Sequence, residues 1–316
     1  MSDFQKFLFE GLPVRGMVVR LTDSWQEMQA RREGGLPREL SHLLGEMSAC
    51  ALLMASNLKF DGALVLQMQG DGPVKLAVAE ARPGLRYRAT AKLVGEVQPE
   101  ADLAQMLNQH GHGRCAITLD PSNRAQGQQA YQGVVPLSAE DGRRFSNLAE
   151  AVEEYMRLSE QLETKIVLAA NGDTAAGILI QRIPLEGEAN LAAQLSPEQR
   201  DALDDAFPRI AMKTATLKAD ELLRLPIDTL LHRLFWEEDL RRADPGVPRF
   251  ECNCSRERVG RMLVNLGRQE VDEVLAEQGQ VEIACEFCGA NYRFDPVDAA
   301  QLFVTGSPST PPRTLQ

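Results

Sequence analysis

Hydrophobic and polar positions along this chain fall into three regimes. To about residue 185, short alternating runs are interleaved with helical ones. Residues 14–20 read as a strand, and Thr22 or Ser24 can cap a short helix reaching about Arg32. Pro37 opens a longer helix whose Leu40, Leu43, Leu44, Met47, Ala51 and Met54 recur with the 3.6-residue period, ending near Ser56 and Asn57. Residues 63–69 and 74–79 flank Gly70-Asp71-Gly72-Pro73, a dense turn signal, and predict a hairpin. Strands are expected at 85–90, 115–119 and 131–137, with a short helix at 101–107 and a carboxylate-rich helix at 145–162. Residues 165–169 and 176–183 make a second hairpin through Asn171-Gly172-Asp173. Hairpins mixed with helices predict an α+β core domain over residues 1–185, with an antiparallel or mixed sheet.

The pattern changes near Pro184. From Leu191 to about Leu240 no strand pattern occurs, and helices broken at Pro197, Pro208 and Pro226 are expected. Residues 186–245 thus read as a helical linker. Its second half crowds Leu222, Leu223, Leu225, Leu230, Leu231, Leu234, Phe235 and Trp236 among charged residues. This is either an ordinary amphipathic connector packed on a core or an apolar surface that is covered only conditionally.

The third regime is a small module, residues 246–303. Asp244-Pro245-Gly246 turns into it, Ser255 caps a helical stretch interrupted at Gly267, strands are expected at 280–285 and 291–294, and a last helix at 297–303. Residues 304–316, rich in Ser, Thr and Pro, read as a disordered tail. The module carries four of the six cysteines: Cys252-Asn253-Cys254 and Cys285-Glu286-Phe287-Cys288, the second pair followed by Gly289. Cys-x-x-Cys-Gly is a metal knuckle, because glycine tolerates the positive φ of its turn. For the first pair a strand over 247–251 would point both sulfurs the same way. Four thiolates make a closed tetrahedral Zn²⁺ site with no position for substrate water. Such a site either only holds its module together or also uses its thiolates as oxidisable groups.

Composition narrows the function. The 316 residues carry a net charge of −11, which disfavours phosphate backbones. Residues 249–295 hold six Lys and Arg against nine Asp and Glu, a poor match to nucleic acid. The start of the chain lacks a signal-peptide pattern and no apolar run is long enough to span a membrane, so a cytoplasmic protein with reduced thiols is expected. Cys50 and Cys115, each alone among apolar residues, read as core thiols. No catalytic triad, His-Glu-x-x-His or nucleotide loop occurs, Gly70-x-Gly72 reads as a turn, His110-Gly111-His112 as a loop, and the Cys-x-x-Cys leads into a strand rather than a helix, so no enzyme is expected.

Several stretches together resemble the 33-kDa heat-shock chaperonin family over about residues 4–303. They are Leu58-Lys59-Phe60-Asp61-Gly62, residues 67–75, residues 131–136, Ser159-Glu160-Gln161-Leu162, Leu231-His232-Arg233-Leu234-Phe235, the run from Cys252 to Arg258, and Cys285 to Gly289. The resemblance implies a redox-regulated, ATP-independent holdase. In the reduced state one Zn²⁺ sits on Cys252, Cys254, Cys285 and Cys288 and the protein is inactive. Oxidation to Cys252–Cys254 and Cys285–Cys288 disulfides releases zinc, the module and linker loosen, and unfolding client proteins bind. The resemblance further implies a homodimer when oxidised and hand-over of clients to ATP-dependent foldase chaperones. In the linker, Leu222, Leu223, Leu230, Leu231, Leu234 and Phe235 are the candidate client-binding residues.

Overall fold

A computed structural model describes residues 2–32, 34–58, 61–122, 130–184 and 197–305, and their side chains apart from those of 197–202 and 305. Lys59 and Phe60, linker residues 186–196 and the tail from 306 onward lie outside these residues. The contacts divide the chain into two units, Met1–Ala30 with Gly34–Glu251, and Arg31–Glu33 with Cys252–Gln316.

The first unit is α+β, built on two sheets. One is five-stranded and antiparallel, in the order β10 (Leu240–Arg242), β1 (Asp3–Phe9), β2 (Val14–Leu21), β9 (Ala175–Arg182), β8 (Thr164–Ala170). The other runs β11 (Arg249–Phe250), β5 (Arg86–Leu93), β4 (Val74–Arg82), β3 (Gly62–Gln69), β6 (Arg114–Pro121), β7 (Tyr131–Pro136), with only the β11–β5 pair parallel. Both expected hairpins form. Two strands carry no readable alternation. β1 buries Phe4 on one face and Phe7 and Phe9 on the other, and β10 is three residues long with two arginines.

A short helix α1 (Asp23–Ala30) precedes α2 (Arg38–Ser56), which contacts strands of both sheets. The periodicity marks one apolar stripe on α2, but residues all round it are buried, including Ser48, Ala49, Cys50, Leu52 and Leu53. A helix sandwiched between two sheets has no solvent face to keep polar. Gly45 allows this approach, since a Cβ there would stand 2.7 Å from the Ala170 Cβ. Asp102 caps α3 (Leu103–Leu107) in a capping box with Gln105. The helix expected over 145–162 is an α-helix only in α4 (Leu148–Tyr155); Met156–Glu160 is a π turn, closed by Gln161 at φ 55°.

The linker helices α5 (Pro197–Ala215), α6 (Ala219–Arg224) and α7 (Ile227–Phe235) share one core with the five-stranded sheet. Pro208 does not break α5. It lies inside the helix, and buried Ala206, Phe207 and Ile210 anchor the turns around the missing hydrogen bond.

The second unit comprises α8 (Arg256–Leu266), α9 (Arg268–Gln278), the hairpin β12 (Val281–Ala284) and β13 (Asn291–Phe294), and α10 (Pro296–Thr305). Its core is small: Leu263, Val271, Val281, Phe294 and Ala299 are buried, with partly buried side chains such as Val259 and Leu302 around them. Among the described residues, no helix is long and apolar enough to cross a membrane.

Candidate metal centre

The first cysteine pair follows a strand but is not on one. Hydrogen bonds from the Arg249 and Glu251 amides to the Leu85 and Tyr87 carbonyls tie the preceding strand to the first unit's sheet, and pairing ends at Phe250. Cys252 to Cys254 is irregular backbone that runs into the Ser255 cap of α8, where the Arg258 amide donates to the Ser255 hydroxyl at 3.2 Å. The strand expected to orient both sulfurs therefore stops short, because its sheet partner belongs to the other unit. A different contact holds the loop: the Arg258 guanidinium donates to the Asn253 carbonyl at 3.0 Å.

The second pair sits in the turn of the β12–β13 hairpin. The Cys285 amide donates to the Ala290 carbonyl and the Gly289 amide to the Cys285 carbonyl, at 2.9 and 2.8 Å. Gly289 has φ 69°, the left-handed conformation that the knuckle reading assigns to it.

These two loops bring together the sulfurs of Cys252, Cys254, Cys285 and Cys288, all within 4.8 Å of one another. Cys252 and Cys285 are 3.7 Å apart, Cys254 and Cys288 3.3 Å. A tetrahedral ion with metal–sulfur bonds of about 2.3 Å needs sulfurs about 3.8 Å apart. The cluster has that size, and four thiols with no carboxylate or imidazole among them are a soft donor set. It can hold a metal ion.

Electrostatics set Cys254 apart from Cys285 and Cys288. Burial opposes ionisation of Cys254, but donors outweigh it. The Tyr292 hydroxyl lies 3.1 Å from its sulfur, neighbouring thiols add to this, and its pKa is held down to about 7. Burial pushes the Cys285 and Cys288 thiols up, although backbone N–H groups of the knuckle act against the rise. In the thiol form Cys254 therefore gives up its proton before Cys285 and Cys288. Sequence reasoning missed Tyr292. It lies two residues before buried Phe294 and so shares that face of β13, which marks it as an inward strand position but not as the neighbour of a sulfur.

The candidate client-binding residues lie elsewhere. Leu222, Leu230, Leu231 and Phe235 are buried, and Leu223 and Leu234 partly so, in the core beneath the linker helices. Phe235 packs edge-on to Phe9, with ring centroids 5.0 Å apart, and lies 6.1 Å from Phe7. Trp236, next in sequence, is 69% exposed. The His110-Gly111-His112 loop is fixed by Asp71, whose carboxylate accepts the His110 and His112 amides at 3.2 and 2.8 Å. Cys50 and Cys115 are fully buried, and burial pushes the Cys115 thiol up to about 12.

Comparison with known proteins places this architecture. The profile of a family described as Hsp33 protein matches residues 2–295. The 33 kDa chaperonin of Chromobacterium violaceum is 44% identical over 299 residues, covering 95% of this chain and 92% of that protein. The 33 kDa chaperonin of Methylobacillus flagellatus is 44% identical over 302 residues, covering 95% and 94%. The crystal structure of the 33 kDa chaperonin from Thermotoga maritima matches 96% of this chain and 97% of its own with a TM-score of 0.72, at 20% identity, a likeness of fold. A profile match over residues 2–295 and 44% identity to relatives covered almost end to end show the family: the chain belongs to the Hsp33 family.

Proposed function

We propose that this protein is a redox-regulated, ATP-independent holdase, held inactive by Zn²⁺ on Cys252, Cys254, Cys285 and Cys288. The observation that carries the reading is the convergence of four thiols in a unit whose own core, among the described residues, is a cluster of five buried side chains. A unit so small rarely folds on apolar burial alone. Bound zinc would supply cross-linking, worth on the order of 10–16 kcal/mol in thiolate-rich sites.

The switch is chemical. The four thiolates pass four electrons to two molecules of hydrogen peroxide. With four protons taken up, two disulfides and four waters form, and the disulfide sulfurs are no longer metal ligands. All four sulfurs are mutually close, so distance does not choose their partners. The family resemblance implies Cys252–Cys254 and Cys285–Cys288, and once the unit loosens, loop-closure entropy also favours near neighbours. Disulfides closing such short loops restore little stability.

The linker provides the second half. Leu222, Leu223, Leu230, Leu231, Leu234 and Phe235 form an apolar face covered in the folded state, and loosening would present it to unfolding clients. Exposed surface of this kind also fits dimerisation of the oxidised form and later transfer of clients to ATP-dependent foldases. The test follows zinc release and suppression of client aggregation together, with and without peroxide under mild heat. The two should rise in step. Client protection by fully reduced, zinc-loaded protein, or zinc loss with no gain in protection, overturns the reading.

A further inference from the structure

Five of the stretches that carry the family resemblance play no part in the metal centre, and three of those five meet elsewhere in the first unit. These are the strand from Tyr131, Ser159 to Leu162, and the stretch that begins at Leu58. All three contribute to one cleft in the first unit, a cavity of about 100 Å³ between the two sheets at the C-terminal end of α2. Leu64, Ile117 and Leu179 give it an apolar lining, and Arg15 and Glu160 bring it one charge of each sign.

Both charges are held in place by neutral partners. Arg15 donates through Nε and Nη2 to the Gln181 side-chain oxygen, at 3.1 and 2.5 Å. Gln181 is itself buried and pinned by a 3.0 Å hydrogen bond to Thr164. A guanidinium has five N–H donors, so the Nη1 pair is left over. Oε1 of Glu160 accepts from the Tyr155 hydroxyl at 3.0 Å and the Tyr131 hydroxyl at 3.3 Å, which leaves Oε2. Among the described residues, Arg15 has no carboxylate partner and Glu160 no cationic one, and they do not pair with each other although they line the same cleft. Nearby Lys6 adds to the positive field, and its ammonium is pushed down by burial and then by Arg15. The π turn Met156–Glu160 presents the carboxylate, and π turns inside helices recur at functional sites.

We propose that this cleft binds a small zwitterion with one aliphatic side chain, its carboxylate on Arg15, its ammonium on Glu160 and its side chain among Leu64, Ile117 and Leu179. The space, about 100 Å³ against about 150 Å³ for a dry cavity that holds benzene, admits one small apolar group. Charge complementarity at two fixed points excludes singly charged and neutral molecules of the same shape. A free amino acid and a dipeptide share this chemistry and differ in the span between their charges.

The experiment uses the reduced, full-length protein, so its outcome is independent of the redox reading. Leucine, glycyl-leucine, leucinamide and N-acetyl-leucine are titrated by calorimetry and by NMR. One of the two zwitterions is expected to bind saturably, and each singly blocked leucine to bind at least about tenfold more weakly, the scale of one charge-assisted hydrogen bond. Arg15→Met should abolish the preference for leucine over leucinamide, and Glu160→Gln the preference over N-acetyl-leucine. Glu160 is exposed, so E160Q decides the matter even if R15M fails to fold. Absence of saturable binding of either zwitterion up to about 10 mM, or blocked leucines binding as well as the zwitterions, overturns the proposal.

Discussion

At the residue scale, the contrast between Cys254 and the Cys285 and Cys288 thiols has a measurable cause. Tyr292→Phe removes the O–H donor from the Cys254 sulfur, and the Cys254 pKa should rise from about 7 toward its ordinary value. In reduced, zinc-loaded Y292F, where the unit stays folded, peroxide should release zinc about fivefold faster, because a thiolate that loses its donor is the stronger nucleophile. Glu46 gives a second test. Burial raises its carboxyl from 4.5 to about 7. The folded state holds this proton more tightly than the unfolded chain does, so its contribution is intact below about pH 4.5 and is lost as pH rises to about 7. Glu46→Gln should therefore stabilise the protein more at pH 8 than at pH 5, by about 2 kcal/mol after allowance for its partial exposure, read as a shift in the urea midpoint. The four cysteines could be found in the sequence because ligand spacing is local. Tyr292 and Arg258 were not, since a hydrogen bond to a sulfur or to a loop carbonyl leaves no spacing rule behind.

At the element scale, the linker helices are the part whose stability matters most to the proposed switch. Phe235→Ala removes the ring that packs against Phe7 and Phe9 and should cost about 3–5 kcal/mol. Because α7 caps the sheet from outside, the loss should appear as local opening. Reduced, zinc-loaded F235A should bind a hydrophobic dye and be cut by protease within residues 197–235, while parent protein resists both. The rim adds little resistance. Lys213 pairs with Glu237 at 2.7 Å and Arg233 with Glu221 at 2.7 Å, ion pairs with one or both members exposed, each worth well under about 1 kcal/mol. Element type was legible wherever one face meets solvent, as in the two hairpins and β13. It was less so where burial is two-sided, as in α2, where neighbouring packing overrides a local signal, as at Pro208, or where an edge strand is short and charged, as in β10.

At the scale of the whole molecule, the two units should differ in their dependence on metal. A chelator applied to reduced protein should strip hydrogen-exchange protection from α8, α9 and the β12–β13 hairpin, and leave β2, β9 and α2 protected. Uniform loss across both units would show that the metal supports more than its own unit. The division into two sheets and a separate small unit was only partly visible in the sequence. Alternation identifies strands but not their neighbours, and the pairing of β1 with β10 joins segments from opposite ends of the first unit.

That pairing bears on how the molecule is made. Phe7 and Phe9 emerge from the ribosome early, whereas Arg242 and Leu240, which border them in register, arrive only once the linker has been synthesised. Until then the first strand has one open flank, and the aromatic rings above it lack their helical lid. A nascent chain of this protein thus passes through a stage with the same apolar surface bare that the finished one keeps closed, and would itself be a client for a chaperone during translation.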